Sequence, residues 1–297
     1  MEALRNLFHF RGIAEFPGDE NVLSSLKTIG ATYLPRAFAL ASGLADWRIA
    51  RDPASEVNLL PLLVSPGDHV CDIGANRGLY IFWLLRLGAK VAGFEPNPHM
   101  VAVLRHRFAA ALKEGRLELF DCALSDGAGA VTLHIPRGYS PLATIDGGLA
   151  GASGLAMDEV QVPRRRLDDC VGADIAFIKL DVEGHEQKVL DGASRLIAAA
   201  RPSILVEAEE RHRAGAVASL RQCLEPLGYD GFFVLADGVH PIAEFDPARH
   251  QRREALNGDG TGALAPFTYI NNFVFTARPD QQARLRSWKP QRMLTRF

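Results

Sequence analysis

The stretch that most constrains the fold runs from His69 to Tyr80 and reads HVCDIGANRGLY. An apolar run ends in Asp72, two glycines (Gly74 and Gly78) bracket a short turn, and an apolar helical pattern follows. Glycine permits positive φ angles and close approach to a ligand, and the next helix begins with unpaired N–H groups. This order of strand, glycine turn and helix predicts a binding site for an adenosine-like ligand. A turn that serves packing alone is the alternative, but an acid is an unusual end for a buried strand.

A second acid, Glu95, ends the next apolar run, 23 residues after Asp72. An acid about 20 residues beyond such a turn holds ribose hydroxyls in dinucleotide-binding folds, and a carboxylate can accept from both hydroxyls. Pro96 offers a flat apolar surface beside a base, and Pro98 suits the first position of a helix. Glu95 is therefore a candidate ribose ligand, and a helix-capping role is compatible with that position.

Short strand-like runs alternate with longer helical ones along the chain. Strands are predicted at 70–73, 91–94, 117–120, 131–135, 161–167, 175–182, 203–207, 232–235 and 269–276. Helices are predicted at 79–87, 99–112, 185–200 and 213–227. The alternation predicts an α/β fold with a mostly parallel sheet and helices on both faces. Residues 137–156 are rich in Gly, Ser and Ala without a clear period, which predicts a long loop.

The third predicted strand is followed by Asp121, at the sheet edge where such folds bind ligands. Asp121 could face the amino group of an adenine. The next residues, Ser125, Asp126 and Gly127, are equally typical of a plain turn.

The stretch at 178–186 reads IKLDVEGHE and is the most specific in the chain. Strand alternation places Lys179 and Asp181 on one face. Asp181, Glu183 and His185 then stand at the ligand edge, where they could orient a substrate or accept a proton. The alternative is an ion pair between Lys179 and Asp181, with acids that only favour the start of the next helix.

Another apolar run, at 202–207, ends in Glu207. Several strand-end acids thus converge on one edge of the sheet. Like charges that gather in this way destabilise a fold unless a function uses them.

Together these stretches resemble the FkbM-type family of S-adenosylmethionine-dependent methyltransferases. The matching segments are 70–78, 93–98, 123–126, 166–168, 177–192 and 202–207. The pattern K-x-D-V-E-G-x-E is the specific marker, and the resemblance covers roughly residues 55–277. It implies a Rossmann-like class I methyltransferase sheet of about seven strands, the last of them antiparallel.

The resemblance also implies a role for each candidate residue. The residues expected to bind S-adenosylmethionine are Asp72, Gly74, Ala75, Asn76 and Gly78 at its methionine end, Glu95 at the ribose, and Pro96, Asp121 and Ala123 at the adenine. The residues expected to face the reacting oxygen are Asp181, Glu183, His185 and Glu207. No metal ligand set is expected. His185 stands where many relatives carry a small residue.

The implied reaction is O-methylation of a hydroxyl on a sugar, glycan or polyketide-type small molecule, with a carboxylate or His185 as proton acceptor. A non-catalytic cofactor-binding or scaffold protein of a biosynthetic complex is the main alternative. An NAD-dependent oxidoreductase is disfavoured by the G-x-x-x-G spacing and the missing Tyr-x-x-x-Lys pair. A magnesium-assisted transfer would draw on the oxygen ligands of Asp181 and Glu207 together with His185.

Three segments are predicted: an N-terminal helical extension over 1–52, a methyltransferase domain over 53–279 and a basic tail over 280–297. From Arg278 to Phe297 the chain carries six Arg or Lys and one Asp. We expect this tail to be solvated or docked as a helix, and a surface for anionic lipid or an acidic partner is the alternative.

Charge and cysteine content narrow the class of protein. The net charge of −2 lacks the basic footprint of a nucleic-acid binder. Four scattered cysteines without a C-x-x-C argue against a disulfide scaffold or a zinc site and suit a reducing compartment. Charges at positions 2 and 5 interrupt any leader-like run, and no apolar stretch reaches the roughly 20 residues of a membrane span. We therefore expect a cytoplasmic protein without a transmembrane segment, and homo-oligomerisation stays open.

Overall fold

The computed structural model describes residues 42–43, 46–136, 143–145, 147, 151, 156–257, 263–264 and 267–294. Most of the predicted N-terminal extension and of the predicted loop at 137–156 lies outside these residues. Residues 42–43 and 46–49 are helical, as the sequence predicts for that part of the extension.

The described residues form strands, α-helices and short 3₁₀ turns. The strands are β1 His69–Ile73, β2 Lys90–Phe94, β3 Leu117–Phe120, β4 Ala123–Leu124, β5 Gly129–Pro136, β6 Met157–Arg165, β7 Ile175–Leu180, β8 Ser203–Glu207, β9 Asp230–Leu235, β10 Gly238–Pro241 and β11 Asn272–Thr276. The α-helices are α1 Leu60–Leu63, α2 Leu79–Arg86, α3 Pro98–Arg107, α4 Ala109–Lys113, α5 Glu186–Asp191, α6 Ser194–Ala200, α7 Ala216–Leu224, α8 Pro247–His250 and α9 Pro279–Ser287. The 3₁₀ turns are Glu56–Leu59, Leu167–Asp169, Glu225–Leu227, Ile242–Glu244 and Arg253–Ala255.

The main sheet has eight strands in the order β10-β9-β11-β8-β7-β1-β2-β3. Neighbours from β8 to β3 run parallel, and β11 is inserted antiparallel between β8 and β9. The predicted mostly parallel sheet with an antiparallel last strand is confirmed. One further strand, β10, pairs with β9 as a hairpin. This strand is not predictable from the sequence, because four residues ending in proline are too short a pattern.

A separate three-stranded sheet has the order β4-β6-β5. Its long strands, β5 and β6, are antiparallel over eight residue pairs from Gly129–Arg164 to Pro136–Met157. Both strands were predicted, but β6 begins at Met157, four residues before the predicted start. The insertion between β3 and β7 therefore builds its own layer beside the main sheet.

Helices cover both faces of the main sheet, as strand alternation requires. Val70 packs with α2 and α9 on one face, whereas Cys71 and Ile73 pack with α5, α6 and α7 on the other. The α9 segment of the basic tail is docked: Leu285 and Trp288 are buried, and the Gln281 side-chain amide donates to the Leu63 carbonyl over 3.1 Å.

Two predicted helices are interrupted. The helix predicted at 185–200 was wrong at 192–193, where the structure has a turn between α5 and α6. Helices α5 and α6 are separate because Gly192 passes directly over the chain at Ser125. A Cβ added to Gly192 would lie 2.0 Å from the Ser125 carbonyl oxygen. Likewise, the predicted helix at 99–112 breaks at Phe108 between α3 and α4.

Candidate active site

The chain reverses its direction of sheet growth at β1. Strands β2 and β3 are added on one side of β1, and β7 and β8 on the other. Folds of this kind bind ligands in the crevice beyond the carboxyl ends of the strands at that reversal. The structure has a cleft there that is partly open to solvent.

Three parts of the chain line this central cleft. The β1–β2 side contributes Ile73, Gly74, Asn76, Phe94, Glu95, Pro96 and Met100. The β4–β5 side contributes Cys122, Ala123, Leu124, Leu133, Ala143, Thr144 and Ile145. The end of β7 contributes Asp181, Val182 and Glu183.

The glycine turn, residues Gly74–Gly78, follows β1 and lies against the end of β7. Gly74 has a φ of 77°, and a Cβ on it would lie 1.7 Å from the Asp181 carbonyl oxygen. The Asp181 N–H in turn donates to the Ile73 carbonyl over 3.0 Å. Only glycine fits here, because the left-handed conformation and the close approach both exclude a side chain.

Glu95 joins the turn to the end of β2. Its buried carboxylate accepts from the backbone N–H of Asn76 at 2.6 Å and of Asn97 at 2.8 Å. Burial raises the pKa of Glu95 to about 7, although both N–H groups act in the opposite direction. Glu95 therefore shapes the turn and also presents its carboxylate to the cleft.

Asp72 lies beneath the turn rather than on the cleft wall. It is 1% exposed and accepts from the Ile81 N–H at 3.1 Å, in the first turn of α2. Burial raises the pKa of Asp72 to about 7, and the Lys179 ammonium opposes that rise. Its contacts hold the glycine turn against the helix.

The structure brings five of the nine predicted cofactor residues onto the cleft wall: Gly74, Asn76, Glu95, Pro96 and Ala123. Ala75 and Gly78 belong to the turn behind that wall. Asp121 is on the outer side of Pro96, in a shallow groove, and its exposed carboxylate pairs with Arg105 at 2.7 Å. No sequence pattern predicts this partner.

The acid cluster, defined as Asp181, Glu183, Glu207 and Glu209, lies at the ends of β7 and β8. Burial raises the pKa of Glu183 to about 8, and the neighbouring Asp181 and Glu209 add to the rise while Arg211 opposes it. Burial and the nearby Asp181 also raise the pKa of Glu207 well above its usual range. Asp181 and Glu209 are thus close enough to Glu183 and Glu207 to raise the pKa of both of these carboxyl groups.

Each buried acid has a polar partner. The Glu183 carboxylate is 3.3 Å from His212 Nδ1, and Glu207 Oε1 accepts from Asn271 Nδ2 at 2.6 Å. Glu209 accepts from both the Arg211 guanidinium and the Tyr269 hydroxyl, the latter at 2.5 Å.

Lys179 lies below the acid cluster, 1% exposed. Its Nζ is 3.7 Å from Asp181 Oδ2 and 4.9 Å from the centre of the Tyr80 ring. The Tyr80 hydroxyl donates to Glu56 Oε1 over 2.9 Å. The ion pair foreseen between Lys179 and Asp181 is present, and Asp181 nevertheless faces the cleft.

His185 is held away from the cleft wall. Its Nε2 is 2.9 Å from the Ser125 hydroxyl, which also donates to Asp126 at 2.9 Å. The predicted catalytic residues thus divide into two on the wall, Asp181 and Glu183, and two behind it, His185 and Glu207. Within the described ranges, no cluster of three or more His, Cys, Asp or Glu side chains is arranged to hold a metal ion.

Several residues of the site escaped the sequence analysis. Leu133, Thr144 and Ile145 reach the cleft from the insertion, and Tyr269 and Asn271 reach the acid cluster from the chain before β11. Glu209 could have been found, because it is two residues beyond Glu207. The others are part of no recognisable pattern.

A family model for the methyltransferase FkbM domain matches residues 72–230. The chain belongs to the FkbM methyltransferase family. The matched residues begin at Asp72 and include the glycine turn, Glu95 and the acid cluster. They do not include Glu56, which contacts Tyr80, or Tyr269 and Asn271, which reach the acid cluster.

Among curated proteins, the 31-O-demethyl-FK506 methyltransferase FkbM of Streptomyces tacrolimicus is 31% identical over 157 residues. The alignment covers 43% of this chain and 60% of that relative, so the chain spans about 60% of the relative's length.

Solved structures of methyltransferases are also similar. The methyltransferase FkbM of Methylobacillus flagellatus has a TM-score of 0.46 and 18% identity, with 71% of this chain and 44% of that chain covered. The magnesium protoporphyrin IX methyltransferase of Synechocystis, with bound SAM, has a TM-score of 0.38 and 13% identity, with 93% and 90% covered.

No helix among the described residues is both long enough and apolar enough to span a bilayer.

Proposed function

We propose that this member of the FkbM family transfers the methyl group of S-adenosylmethionine to a hydroxyl of a sugar, glycan or polyketide-type small molecule. The observation that carries the proposal is the contact between the glycine turn and the end of β7. A Cβ on Gly74 would lie 1.7 Å from the Asp181 carbonyl oxygen. A donor seated on the turn would therefore lie beside the Asp181 and Glu183 carboxylates of the same cleft.

The wall of the cleft has groups that suit this donor. Glu95 would hold the ribose, because each carboxylate oxygen keeps a lone pair after accepting from the turn. The backbone of Gly74 to Asn76 would border the methionine end, and Pro96 and Ala123 would flank the base. Surrounding carboxylates favour a positive charge in the cleft. When bound, S-adenosylmethionine supplies an electrophilic methyl group on a positively charged sulfur.

We assign proton acceptance to Asp181. Its side chain is 34% exposed towards the cleft and is oriented by Lys179. With the donor bound, a lone pair of the acceptor oxygen would form the new O–C bond, and the electrons of the C–S bond would pass to the sulfur, which would leave uncharged. The hydroxyl proton passes to the Asp181 carboxylate. Because the cleft holds both reactants, alignment contributes several kcal/mol or more to lowering the barrier.

The other candidate residues receive supporting roles in this proposal. With a pKa of about 8, Glu183 keeps its proton at neutral pH and can donate a hydrogen bond to the acceptor. Glu207 orients Asn271 at the acceptor side. His185 fixes the turn before α5 through Ser125. The relative from Streptomyces tacrolimicus is named a 31-O-demethyl-FK506 methyltransferase, which supports oxygen as the methylated atom.

Isothermal titration of the protein with S-adenosylmethionine and, separately, with NAD tests the donor. We expect binding of S-adenosylmethionine alone, and binding of NAD without S-adenosylmethionine would overturn the proposal. Mass spectrometry after incubation with methyl-labelled donor and an extract then identifies the acceptor by its added label.

Asp181→Asn tests the proton acceptor. We expect turnover to fall by about 10²- to 10⁴-fold, because the amide cannot take the proton, while the donor Kd stays within about twofold. Asp280→Asn, at an exposed ion pair of α9, is the matched control and should turn over normally. Normal donor affinity without turnover in the wild type, across glycan and polyketide acceptors, would instead favour the scaffold function.

A further inference from the structure

The glycine turn is held by side chains from two directions. On one side, the Glu95 carboxylate accepts from the Asn76 N–H at 2.6 Å. On the other side, Arg107, the last residue of α3, donates from Nη1 to the Arg77 carbonyl over 2.7 Å. Arg77 lies between the residue that Glu95 holds and Gly78, whose φ is 87°. The two contacts therefore fix the Asn76 N–H and the Arg77 carbonyl, which lie just before the left-handed Gly78.

Arg107 is itself fixed by a residue outside the family domain. Its Nη2 donates to the Asp46 carboxylate, and the Arg107 and Asp46 side chains are 5% and 0% exposed. The guanidinium also lies over the Phe108 and Phe82 rings, at 4.8 Å and 5.4 Å from their centres. Burying a charge pair with so little exposure to water carries a large desolvation free energy. The planar fork of arginine reaches a carboxylate and a carbonyl together, which a lysine ammonium does poorly.

We propose that Asp46 and Arg107 are positioning residues for the methyl donor: Asp46 orients the Arg107 guanidinium, and Arg107 holds the Arg77 carbonyl so that the glycine turn is pre-formed before the donor binds. This inference rests on the proposed function, because it concerns the affinity for S-adenosylmethionine. It extends the donor site to a residue, Asp46, that precedes the matched range 72–230.

The physical basis is pre-organisation. A turn that must be ordered during binding spends part of the binding free energy on that ordering, whereas a pre-formed turn does not. Losing the hydrogen bond from the Arg107 guanidinium to the Arg77 carbonyl should release the turn on one side, while Glu95 still holds the other side. Affinity for the donor should therefore decrease, and the chemical step, which depends on Asp181, should not.

The test is the double variant Asp46→Leu/Arg107→Met, which removes both charges at once. Removing a buried pair together is far milder than leaving one charge unpaired. We expect the Kd for S-adenosylmethionine, measured by isothermal titration, to rise about tenfold. The donor KM should rise in parallel, while kcat at saturating donor stays within about twofold.

Arg107→Lys separates the carbonyl bond from the charge pair, because the ammonium still neutralises Asp46. We expect a rise in donor Kd of roughly threefold, smaller than in the double variant. The control is Arg221→Met/Glu225→Leu at an exposed pair in and after α7, which should bind the donor as the wild type does.

Each outcome decides one question. Unchanged donor Kd in a folded double variant, or in Arg107→Lys should the double variant fail to fold, overturns the inference while the proposed function stands. A lower melting temperature with an unchanged Kd means that the pair serves stability alone, and this also overturns it. A wild type that binds no S-adenosylmethionine overturns the proposed function itself.

Discussion

The two halves of the candidate active site are built by different means. Backbone contacts fix the start of the glycine turn: Gly74 and Ala75 donate to the Phe94 carbonyl at 3.0 Å each, and Gly74 lies against the backbone of Asp181. The Glu95 and Arg107 side chains then hold the residues that follow. The acid cluster depends on side chains that come from β7, β8 and the segment before β11. The position of the turn therefore depends mainly on steric fit, and the properties of the acid cluster depend mainly on charge.

The difference shows in what a substitution must disturb. In the turn, one added methyl group meets a carbonyl oxygen that cannot move without shifting β7. In the acid cluster, a substitution changes the protonation of neighbouring carboxylates, because these lie close together in a poorly hydrated setting. The glycine turn should therefore tolerate few substitutions, and the pH dependence of activity should arise mainly from the acid cluster.

The largest effect is expected from Gly74→Ala. A Cβ there would be 1.7 Å from the Asp181 carbonyl oxygen at a φ of 77°. We expect the free energy of unfolding to fall by at least about 4 kcal/mol and donor binding to be lost. Chemical denaturation and isothermal titration measure the two effects.

Gly67→Ala is the matched control for this change. Gly67 has a similar φ of 88°, but no atom is within 4 Å of the added Cβ. Its cost should be only that of the left-handed conformation, about 1–2 kcal/mol. Equal losses in the two variants would mean that the conformation, and not the contact with β7, makes glycine necessary at position 74.

Lys179→Met should have an intermediate effect, on the acid cluster. The Lys179 ammonium lowers the pKa of Asp72 on β1 and of Glu207 on β8, and Asp181 and the Tyr80 ring of α2 also face it. Without the ammonium, Asp72 and Glu207 keep their protons to higher pH, and Asp181 loses the partner that orients it. We expect kcat to fall about tenfold to a hundredfold, and the acid limb of the pH–rate profile to move to higher pH.

Lys179→Arg keeps the positive charge and should keep the acid limb in place. Lys90→Met, at the exposed first residue of β2, is the control for loss of a lysine. A pH–rate profile for Lys179→Met that is lower but unshifted would show that Lys179 acts by packing alone, and would remove the distinction drawn between the two halves.

The smallest effect is expected on stability, from Glu183→Gln. The pKa of Glu183 is about 8 in the folded protein, against an ordinary value of 4.5. The folded state therefore binds this proton more tightly than the unfolded state. Its contribution to stability is full below pH 4.5 and is lost as the pH rises to about 8. The glutamine variant lacks this loss.

The melting temperature of Glu183→Gln relative to the wild type should accordingly rise by several °C between pH 5 and pH 8. Differential scanning calorimetry across this range measures it. Glu225→Gln, at a partly exposed helix end, should follow the wild type at every pH. A difference between Glu183→Gln and the wild type that does not change with pH would place the proton elsewhere in the acid cluster.

Local pattern was sufficient to predict much of the site. The strand β1, the glycine turn and α2 follow from an apolar run that ends in an acid, two glycines and an apolar helical run. The alternation of Ile178, Lys179 and Leu180 correctly divided β7 between its two faces, since Ile178 and Leu180 pack in one core and Lys179 faces Tyr80. Such features are short-range, because backbone sterics fix them within a few residues.

Partners that are distant in the chain were beyond the reach of pattern. His185 bonds Ser125, 60 residues away, and Arg107 pairs with Asp46, 61 residues away. Asp121 pairs with Arg105 outside the cleft, although its position after β3 predicted an adenine contact. Many polar side chains could satisfy each of these groups, and only the packed chain selects one.

The sequence by itself determined where the strands end in acids and where glycine is obligatory, because strand period and the steric limits on φ act locally. The tertiary structure decided which acids face the cleft, which of them keep a proton, and that residues before the family domain support the turn. Burial and the distance between charges set those properties, and neither exists until the chain is folded.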